Sequence, residues 1–144
     1  MKEDARDLAA SGYAVLVPDL YSEMGVARFC IREFFTAAGQ ENRPGGHPAL
    51  DEVFATLDYL ERIEGVDPSR IGAIGQCLTG GFALHLARRP EVKAPVVYHH
   101  SLGLRGAGIP EADAAQIQNQ IQGHYAENDP LFCPRARQER LKAV

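Results

Sequence analysis

The clearest periodic signal in the sequence predicts an amphipathic helix from Leu50 to Ile63. Apolar residues recur there at intervals of three and four positions, which places them along one face of a helix. Other segments have weaker helical patterns, and several of them end at a glycine or a proline, residues that stop helices. These further predicted helices are an opening helix that stops at Ser11-Gly12 and the segments 26–38, 78–89 and 135–141.

Between the predicted helices lie short apolar runs of strand length. Tyr13 to Pro18 is an uninterrupted apolar run, which is typical of a parallel strand buried on both faces. Two further runs, within 70–76 and at 94–98, predict shorter strands, and residues 120–125 predict a weaker strand with alternating polarity. Strands that alternate with helices predict an α/β fold, with a mostly parallel sheet flanked by helices. We expect residues 1–144 to form a single domain, because no linker or internal repeat divides them.

Composition narrows the classes of function. The formal charge is −4 and charges of both signs are interspersed, so no basic surface for nucleic acid is expected. No apolar run approaches the roughly 20 residues that cross a bilayer, and the first residues lack the pattern of a signal peptide. The expectation is therefore a cytoplasmic protein that is not bound to a membrane. Cys30, Cys77 and Cys133 lack the spacing of a disulfide framework or a zinc site, which predicts free thiols and no metal centre.

The most informative segment is the predicted strand–turn–helix around Cys77. A strand is predicted up to Gln76 and a helix from Leu78, so the thiol lies at the apex of a sharp turn, the arrangement of a nucleophile elbow. A residue at such an apex has strained backbone geometry and needs small neighbours to avoid clashes. The glycines that supply this space are Gly75, Gly80 and Gly81.

The start of the predicted helix gives this turn its expected chemistry. Unpaired amides and the dipole at a helix N-terminus favour the thiolate, which is the reactive form of cysteine. The backbone N–H of Leu78 directly follows the nucleophile and is the expected oxyanion donor. The alternative is that Cys77 is a small buried hydrophobe, as free cysteines often are. Thr79 stands where the simplest elbow has glycine, and its methyl group adds bulk to a crowded turn.

Three segments resemble the dienelactone hydrolase family, in the family's order and spacing. Residues 75–81, Gly-Gln-Cys-Leu-Thr-Gly-Gly, are similar to the family's G-x-C-x-G-G elbow with one extra residue. Residues 4–21, especially 8–21, resemble its first-helix and strand segment that ends in A-P-D-L-Y, and residues 123–130 resemble its acid loop, which ends in D-P. The resemblance implies an α/β-hydrolase fold. It also implies a carboxylic ester hydrolase, like carboxymethylenebutenolidase, that acts on a small ester or lactone through a cysteine nucleophile and without a cofactor.

Asp129 is the predicted catalytic acid. It follows a predicted strand, at the end where open α/β sheets place their ligands and catalytic groups. The resemblance makes Asp129 the acid that orients a catalytic histidine. The alternative is a turn residue, because the sequence Asn-Asp-Pro favours a turn by itself.

The histidine that should follow the acid is not in the sequence. In this fold the order along the chain is nucleophile, acid, histidine, yet all 5 histidines precede Asp129. His99 and His100 follow a predicted strand at the correct edge of the sheet and are the best internal substitutes. Of the other three, His47 is expected to be solvated and His85 to point away from the thiol. His124 is expected to be packed or on the surface.

The resemblance implies further parts of the fold that this chain does not contain. They are N-terminal strands with a second oxyanion donor and a glutamate, and a C-terminal segment with the histidine. We therefore expect a partial hydrolase domain that has little activity alone. One alternative is a non-catalytic binding or interaction module that associates through exposed sheet edges. Another is an incomplete gene product.

Overall fold

A short parallel sheet organises the computed structural model, which describes residues 2–40, 49–101, 109, 111–131 and 133–143. The sheet contains β1 (Ile71–Gln76), β2 (Val92–Tyr98) and β3 (Gln122–His124). The helices that precede it are α1 (Lys2–Ala10), α2 (Val26–Gln40) and α3 (Leu50–Leu60). The helices between and after the strands are α4 (Leu78–Leu86), α5 (Glu111–Ala114) and α6 (Arg135–Ala143). The described chain therefore has the α/β architecture that the sequence predicts, a parallel sheet flanked by helices.

The strand order is β1-β2-β3, and both pairings are parallel. In the register, Gln76 lies opposite Tyr98, and Tyr98 lies opposite His124, so the three strands end level with one another. Because parallel strands share their direction, the segments that leave all three ends emerge at the same edge of the sheet. This is the edge that carries ligands in open α/β sheets.

Helix α4 is the centre of the hydrophobic core. It is mostly apolar, with Thr79 and His85 as its polar side chains, and it is buried along most of its length. Ala83 and Leu84 pack with the inner residues of β1 and β2 in one cluster, while Leu78 and Phe82 pack with α2 and α3 in a second cluster. Full burial of each large side chain contributes about 1.5–3 kcal/mol. The helix that begins at the predicted turn is therefore fixed from two sides.

The predicted strand from Tyr13 to Pro18 is wrong. Residues 13–19 have no regular secondary structure, and the side chains of Tyr13, Val15 and Val17 are 63%, 37% and 39% exposed. An apolar run forms a strand only where its backbone pairs with a neighbouring strand. Among the described residues, the sheet contains only β1, β2 and β3, so this run has no described partner.

The helix bounds differ modestly from the prediction. The amphipathic helix ends at Leu60 rather than Ile63, and the helix after Cys77 ends at Leu86, with a turn in place of its predicted last residues. Helix α5 has only four residues and was not predicted. Helix ends fray readily and their bounds depend on a few hydrogen bonds, so differences of this size do not change the architecture.

Candidate active site

Cys77 lies between the last residue of β1 and the first residue of α4, with φ 55° and ψ −122°. This backbone conformation costs a non-glycine residue about 1–3 kcal/mol, so the surroundings must hold it. The Cys77 N–H donates to the Tyr98 carbonyl at 3.0 Å. The Cys77 carbonyl accepts from the amides of Gly80 at 3.0 Å and Ser101 at 2.9 Å. These bonds fix the strained geometry that the sequence predicts at this position.

Two of the predicted glycines are needed for steric reasons. A Cβ on Gly75 would lie 2.1 Å from the Thr79 carbonyl oxygen, and a Cβ on Gly80 would lie 2.9 Å from the His100 Cβ. Both distances are shorter than real Cβ contacts. The close approach of β1 to the first turn of α4 is therefore possible only with glycine at position 75.

Thr79, the departure from the simplest elbow pattern, has a specific role in the turn. Its hydroxyl accepts a hydrogen bond from the Gln76 N–H at 3.0 Å and donates one to the Gln76 carbonyl at 2.8 Å. One side chain therefore satisfies both backbone groups of the last residue of β1. Glycine has no hydroxyl and could not form these bonds. Threonine therefore adds a methyl group to the turn and also two hydrogen bonds across it.

The Cys77 thiol is exposed, and its sulfur lies 3.1 Å from the buried hydroxyl of Ser101. The alternative in which Cys77 is a buried hydrophobe is therefore wrong. Two further side chains from the segment before α3 are electrostatically coupled to this thiol. Burial raises the pKa of Tyr21, and negative charge on the sulfurs of Cys30 and Cys77 raises it further. Burial also raises the pKa of Cys30, and negative charge on the Cys77 sulfur and the Glu33 carboxylate adds to that shift.

Leu78 begins α4 directly after the thiol, and its side chain is buried in the cluster that includes Phe29 and Phe82. This packing fixes the first turn of the helix next to Cys77. The backbone N–H of Leu78 belongs to the end of the helix where amides lack partners within the helix. Its role as an oxyanion donor stays a prediction.

Asp129 lies on the loop between β3 and α6, as predicted. One carboxylate oxygen accepts from the Leu131 N–H at 3.1 Å, and the other accepts from the Cys133 N–H at 3.1 Å. This is the geometry of a turn residue, the alternative given by the sequence. An ionised carboxylate has about four acceptor positions, and these two bonds occupy two of them. Its role as the acid of a triad stays a prediction.

The sheet register relates Cys77 to Asp129. Cys77 follows β1, Asp129 follows β3, and β2 lies between these strands. Adjacent strands are about 4.8 Å apart, so the ends of β1 and β3 are about 10 Å apart. Both candidate residues therefore lie on segments that leave the same edge of the sheet, Cys77 directly after β1 and Asp129 five residues beyond the end of β3.

The histidines at this edge have different environments. His100 is fully buried, with its Cβ against Gly80 and its ring edge-on to that of Tyr125, 6.3 Å between centroids. His99 is exposed at φ 36°, and its N–H donates to the His124 carbonyl at 2.7 Å. The His124 ring is exposed, stacked on Tyr98 with 4.6 Å between centroids. That His99 or His100 takes the role of the catalytic histidine stays a prediction.

The other two histidines lie away from this edge. His85 is buried on α4 with its Nδ1 3.7 Å from a carboxylate oxygen of Asp113, a residue of α5. His47 lies outside the described residues. His85 therefore belongs to a polar contact between α4 and α5.

Sequence reasoning missed three residues near the thiol. They come from separate parts of the chain, Tyr21 and Cys30 before α3 and Ser101 after β2. Ser101 had a usable signal, because polar residues just beyond a parallel strand lie at the functional edge of the sheet. Cys30 had none, since its position depends on how α2 packs on α4.

Within the described ranges, no group of three or more histidine, cysteine, aspartate or glutamate side chains is arranged to hold a metal ion. Within the same ranges, no helix combines the length and the apolar character needed to cross a membrane.

Comparison with known proteins agrees with this arrangement of a cysteine turn and an acid loop. The model of the dienelactone hydrolase family matches residues 1–144. The chain belongs to the dienelactone hydrolase family. The resemblance to this family seen in the sequence is thereby confirmed.

Two curated relatives have names that state a reaction. A "Probable 2-oxo-3-(5-oxofuran-2-ylidene)propanoate lactonase" of Bradyrhizobium sp is 27% identical over 135 residues, which cover 90% of this chain and 54% of that protein. A "Putative carboxymethylenebutenolidase" of Synechocystis sp. is 29% identical over 110 residues, which cover 72% of this chain and 41% of that protein. The chain thus spans about half the length of these relatives. No solved structure matches it significantly.

Proposed function

We propose that this dienelactone hydrolase family member is a cysteine-dependent hydrolase of a small ester or lactone, with Cys77 as the nucleophile. The observation that carries the proposal is an exposed thiol at the apex of a strained strand-to-helix turn. The turn is held by hydrogen bonds from both sides and by a glycine that no other residue can replace. Strain maintained in this way concentrates at functional sites.

The proposed reaction is acyl transfer to sulfur. The Cys77 thiolate attacks the carbonyl carbon, the carbonyl oxygen becomes an oxyanion, and the Leu78 N–H stabilises it. Collapse of this intermediate forms a thioester and breaks the bond to the alkoxide, which takes up a proton. In a lactone the new hydroxyl stays attached to the acyl group. Water then hydrolyses the thioester, which releases the carboxylate and restores the thiol without a cofactor.

The proposed role of Asp129 is to orient a histidine that carries the proton between these steps. No histidine follows Asp129 in this sequence. We therefore expect the 144-residue chain to acylate but to turn over slowly, since loss of a triad member leaves only about 10³–10⁴-fold catalysis over water. Replacement of His99 or His100 tests whether either histidine supports the remaining turnover.

The names of the two relatives support a lactone as the substrate. One is named a lactonase, and the other is named after an unsaturated lactone that carries a carboxylate. Both matches include the Cys77 turn only as part of alignments at 27–29% identity, so the substrate stays at the level of a chemical class.

Alkylation with iodoacetamide, mapped by peptide mass spectrometry, tests the nucleophile. Cys77 should be labelled first, because it is exposed while Cys133 is buried. Burial raises the pKa of both Cys30 and Cys133, which lowers their thiolate fraction at neutral pH. Labelling confined to Cys30 or Cys133 would contradict the proposal.

An activated aryl ester tests the acylation step. Mixing it with the chain should release a burst of the aryl alcohol that approaches one equivalent, followed by slow turnover. The burst should be absent in Cys77→Ala and unchanged in the matched variant Cys133→Ala. A burst that persists in Cys77→Ala would exclude Cys77 as the acylated residue.

A second candidate is association of two copies through the sheet edge. It is favoured by the exposed apolar side chains of residues 13–17 and by Ile74 on β1, which is 47% exposed. Exposed apolar residues beside an unpaired strand edge promote pairing with another chain. Sedimentation velocity tests this candidate: Val15→Lys should shift a dimer to a monomer, and a monomeric native chain would eliminate it.

A cytoplasmic location is also a proposal. It is supported by the three cysteines, all of which are free. Free thiols persist in reducing compartments, whereas secreted proteins of this size usually pair them. Cell fractionation of the native host tests the location.

A further inference from the structure

The Ser101 hydroxyl has a position at the candidate nucleophile that neither the proposed reaction nor the triad explains. Its oxygen lies 3.1 Å from the sulfur of Cys77, and either atom can donate in this contact when the thiol is protonated. Ser101 is only 5% exposed, while the Cys77 thiol is exposed. The serine therefore contacts the sulfur from the protein side and leaves its outer side open.

The backbone holds Ser101 in place independently of its side chain. The Ser101 N–H donates to the Cys77 carbonyl at 2.9 Å, and the Cys77 N–H donates to the Tyr98 carbonyl at 3.0 Å. These bonds join the segment after β2 to the apex of the turn. The hydroxyl is thus preorganised against the sulfur, and little side-chain freedom is lost when the hydrogen bond forms.

Ionisation of Cys77 decides the direction of this hydrogen bond. A thiolate has no proton, so only the Ser101 hydroxyl can then donate. Hydrogen bonds to an ionised acceptor are roughly twice as strong as those between neutral groups. The neutral thiol is a weak donor and a weak acceptor. The contact therefore stabilises the thiolate more than the thiol.

We propose that Ser101 is a positioning residue whose hydroxyl donates to the Cys77 thiolate, which increases the fraction of reactive anion at neutral pH and fixes the direction of the sulfur. This inference rests on the proposed function for the use of the thiolate. The hydrogen bond itself exists whether or not the chain turns over a substrate. Ser101 touches only the nucleophile, and it forms no bond to the substrate in this scheme.

The test measures alkylation of Cys77 across pH. Iodoacetamide reacts with the thiolate, which forms a carbon–sulfur bond and releases iodide, so the rate follows the thiolate fraction. Peptide mass spectrometry gives the rate at Cys77 separately from those at Cys30 and Cys133. Ser101→Ala removes the hydroxyl and retains the backbone N–H bond to Cys77, so it isolates the contribution of the side chain.

We expect Ser101→Ala to slow alkylation of Cys77 at neutral pH by about tenfold, which is the effect of one hydrogen bond to a charged group. The pH profile should move to more alkaline pH, while the rate at its alkaline plateau changes little. Ser101→Thr retains a hydroxyl and should restore the native profile. Ser69→Ala, in the turn before β1, should leave it unchanged.

The outcomes separate this inference from the proposed function. Fast labelling of Cys77 in the native chain with an unchanged profile in Ser101→Ala would overturn the role of Ser101 and leave the nucleophile intact. Slow labelling of Cys77 in the native chain would overturn the proposed function first. If circular dichroism shows that Ser101→Ala is unfolded, Ser101→Gly retains the same backbone N–H and gives the same comparison.

Discussion

The Thr79 hydroxyl bridges the backbone of Gln76, because it accepts from the Gln76 N–H at 3.0 Å and donates to the Gln76 carbonyl at 2.8 Å. The two residues lie on opposite sides of Cys77 in the chain. The bridge closes the turn around the candidate nucleophile without contact with the sulfur. Loss of the bridge should therefore lower the stability of the turn without the loss of a contact to the thiol.

Thr79→Val should destabilise the turn. The substitution keeps the shape of the side chain and removes both hydrogen bonds, each of which contributes about 0.5–1.5 kcal/mol. We expect a lower midpoint of urea unfolding for Thr79→Val and a native midpoint for Thr79→Ser, which retains the hydroxyl. Equal midpoints for the two variants would show that the bridge adds no stability.

Gly75→Ala should distort the same turn by steric overlap. The new Cβ would lie 2.1 Å from the Thr79 carbonyl oxygen, so β1 or α4 must move. Overpacking of this kind costs about 1–3 kcal/mol or more. Gly72→Ala is the matched control in β1, because its Cβ would lie 3.2 Å from the Ala94 carbonyl oxygen, a far smaller overlap. Urea unfolding should rank the native chain first, Gly72→Ala second and Gly75→Ala last.

Asp113→Ala should be among the most destabilising single changes away from the turn. Asp113 is buried, and its carboxylate lies 2.7 Å from Arg88 Nη1 and 3.7 Å from His85 Nδ1. Removal of the acid leaves the largely buried Arg88 without this partner, at a cost of about 3–5 kcal/mol.

The control for Asp113 is an exposed ion pair. Lys142 and Glu139 lie 3.3 Å apart with side chains 70% and 58% exposed. Glu139→Ala should cost less than about 1 kcal/mol, because solvent screens an exposed pair. Similar losses of unfolding free energy in the two variants would contradict the importance of the buried contact.

Tyr125→Phe should raise stability, most clearly at alkaline pH. Within the described residues, the buried Tyr125 hydroxyl has no hydrogen-bond partner, so its removal should gain up to about 1 kcal/mol at neutral pH. Burial also raises the pKa of Tyr125 above its ordinary value of 10.0. The unfolded chain therefore releases this proton at lower pH than the folded chain.

The sign of the pH effect follows from this difference. The stability that the native chain owes to this difference in pKa is fully present below pH 10.0 and is lost as pH rises towards the pKa of Tyr125 in the folded state. Urea unfolding at several pH values should show a less steep decline above that pH for Tyr125→Phe than for the native chain. Parallel declines would mean that Tyr125 ionises equally in both states.

The sequence predicted the Cys77 turn because its causes are local. Glycine at position 75 and a helix that starts at Leu78 are close neighbours of the thiol, and their steric effects act within a few residues. The resemblance to a known family added Asp129 through an equally local pattern. Structural features that depend only on neighbouring residues in the chain could therefore be predicted.

Features that depend on distant partners could not be predicted in the same way. Residues 13–18 have the composition of a strand, but a strand also needs a paired neighbour, and no described strand pairs with them. Ser101 contacts Cys77 across 24 positions of the chain, and that contact depends on the register of β1 with β2. Composition and periodicity do not contain this information.

Strand β2 acts as a spacer between the residue that follows β1 and the loop that follows β3. The distance between the ends of β1 and β3, from which the Cys77 turn and the Asp129 loop leave, is therefore set by two ladders of main-chain hydrogen bonds, which any sequence that keeps the sheet will reproduce. Evolution can replace the side chains that surround the site without a change in this spacing. Relatives that keep this sheet can thus diverge in the side chains around its edge while the spacing of the strand ends stays constant.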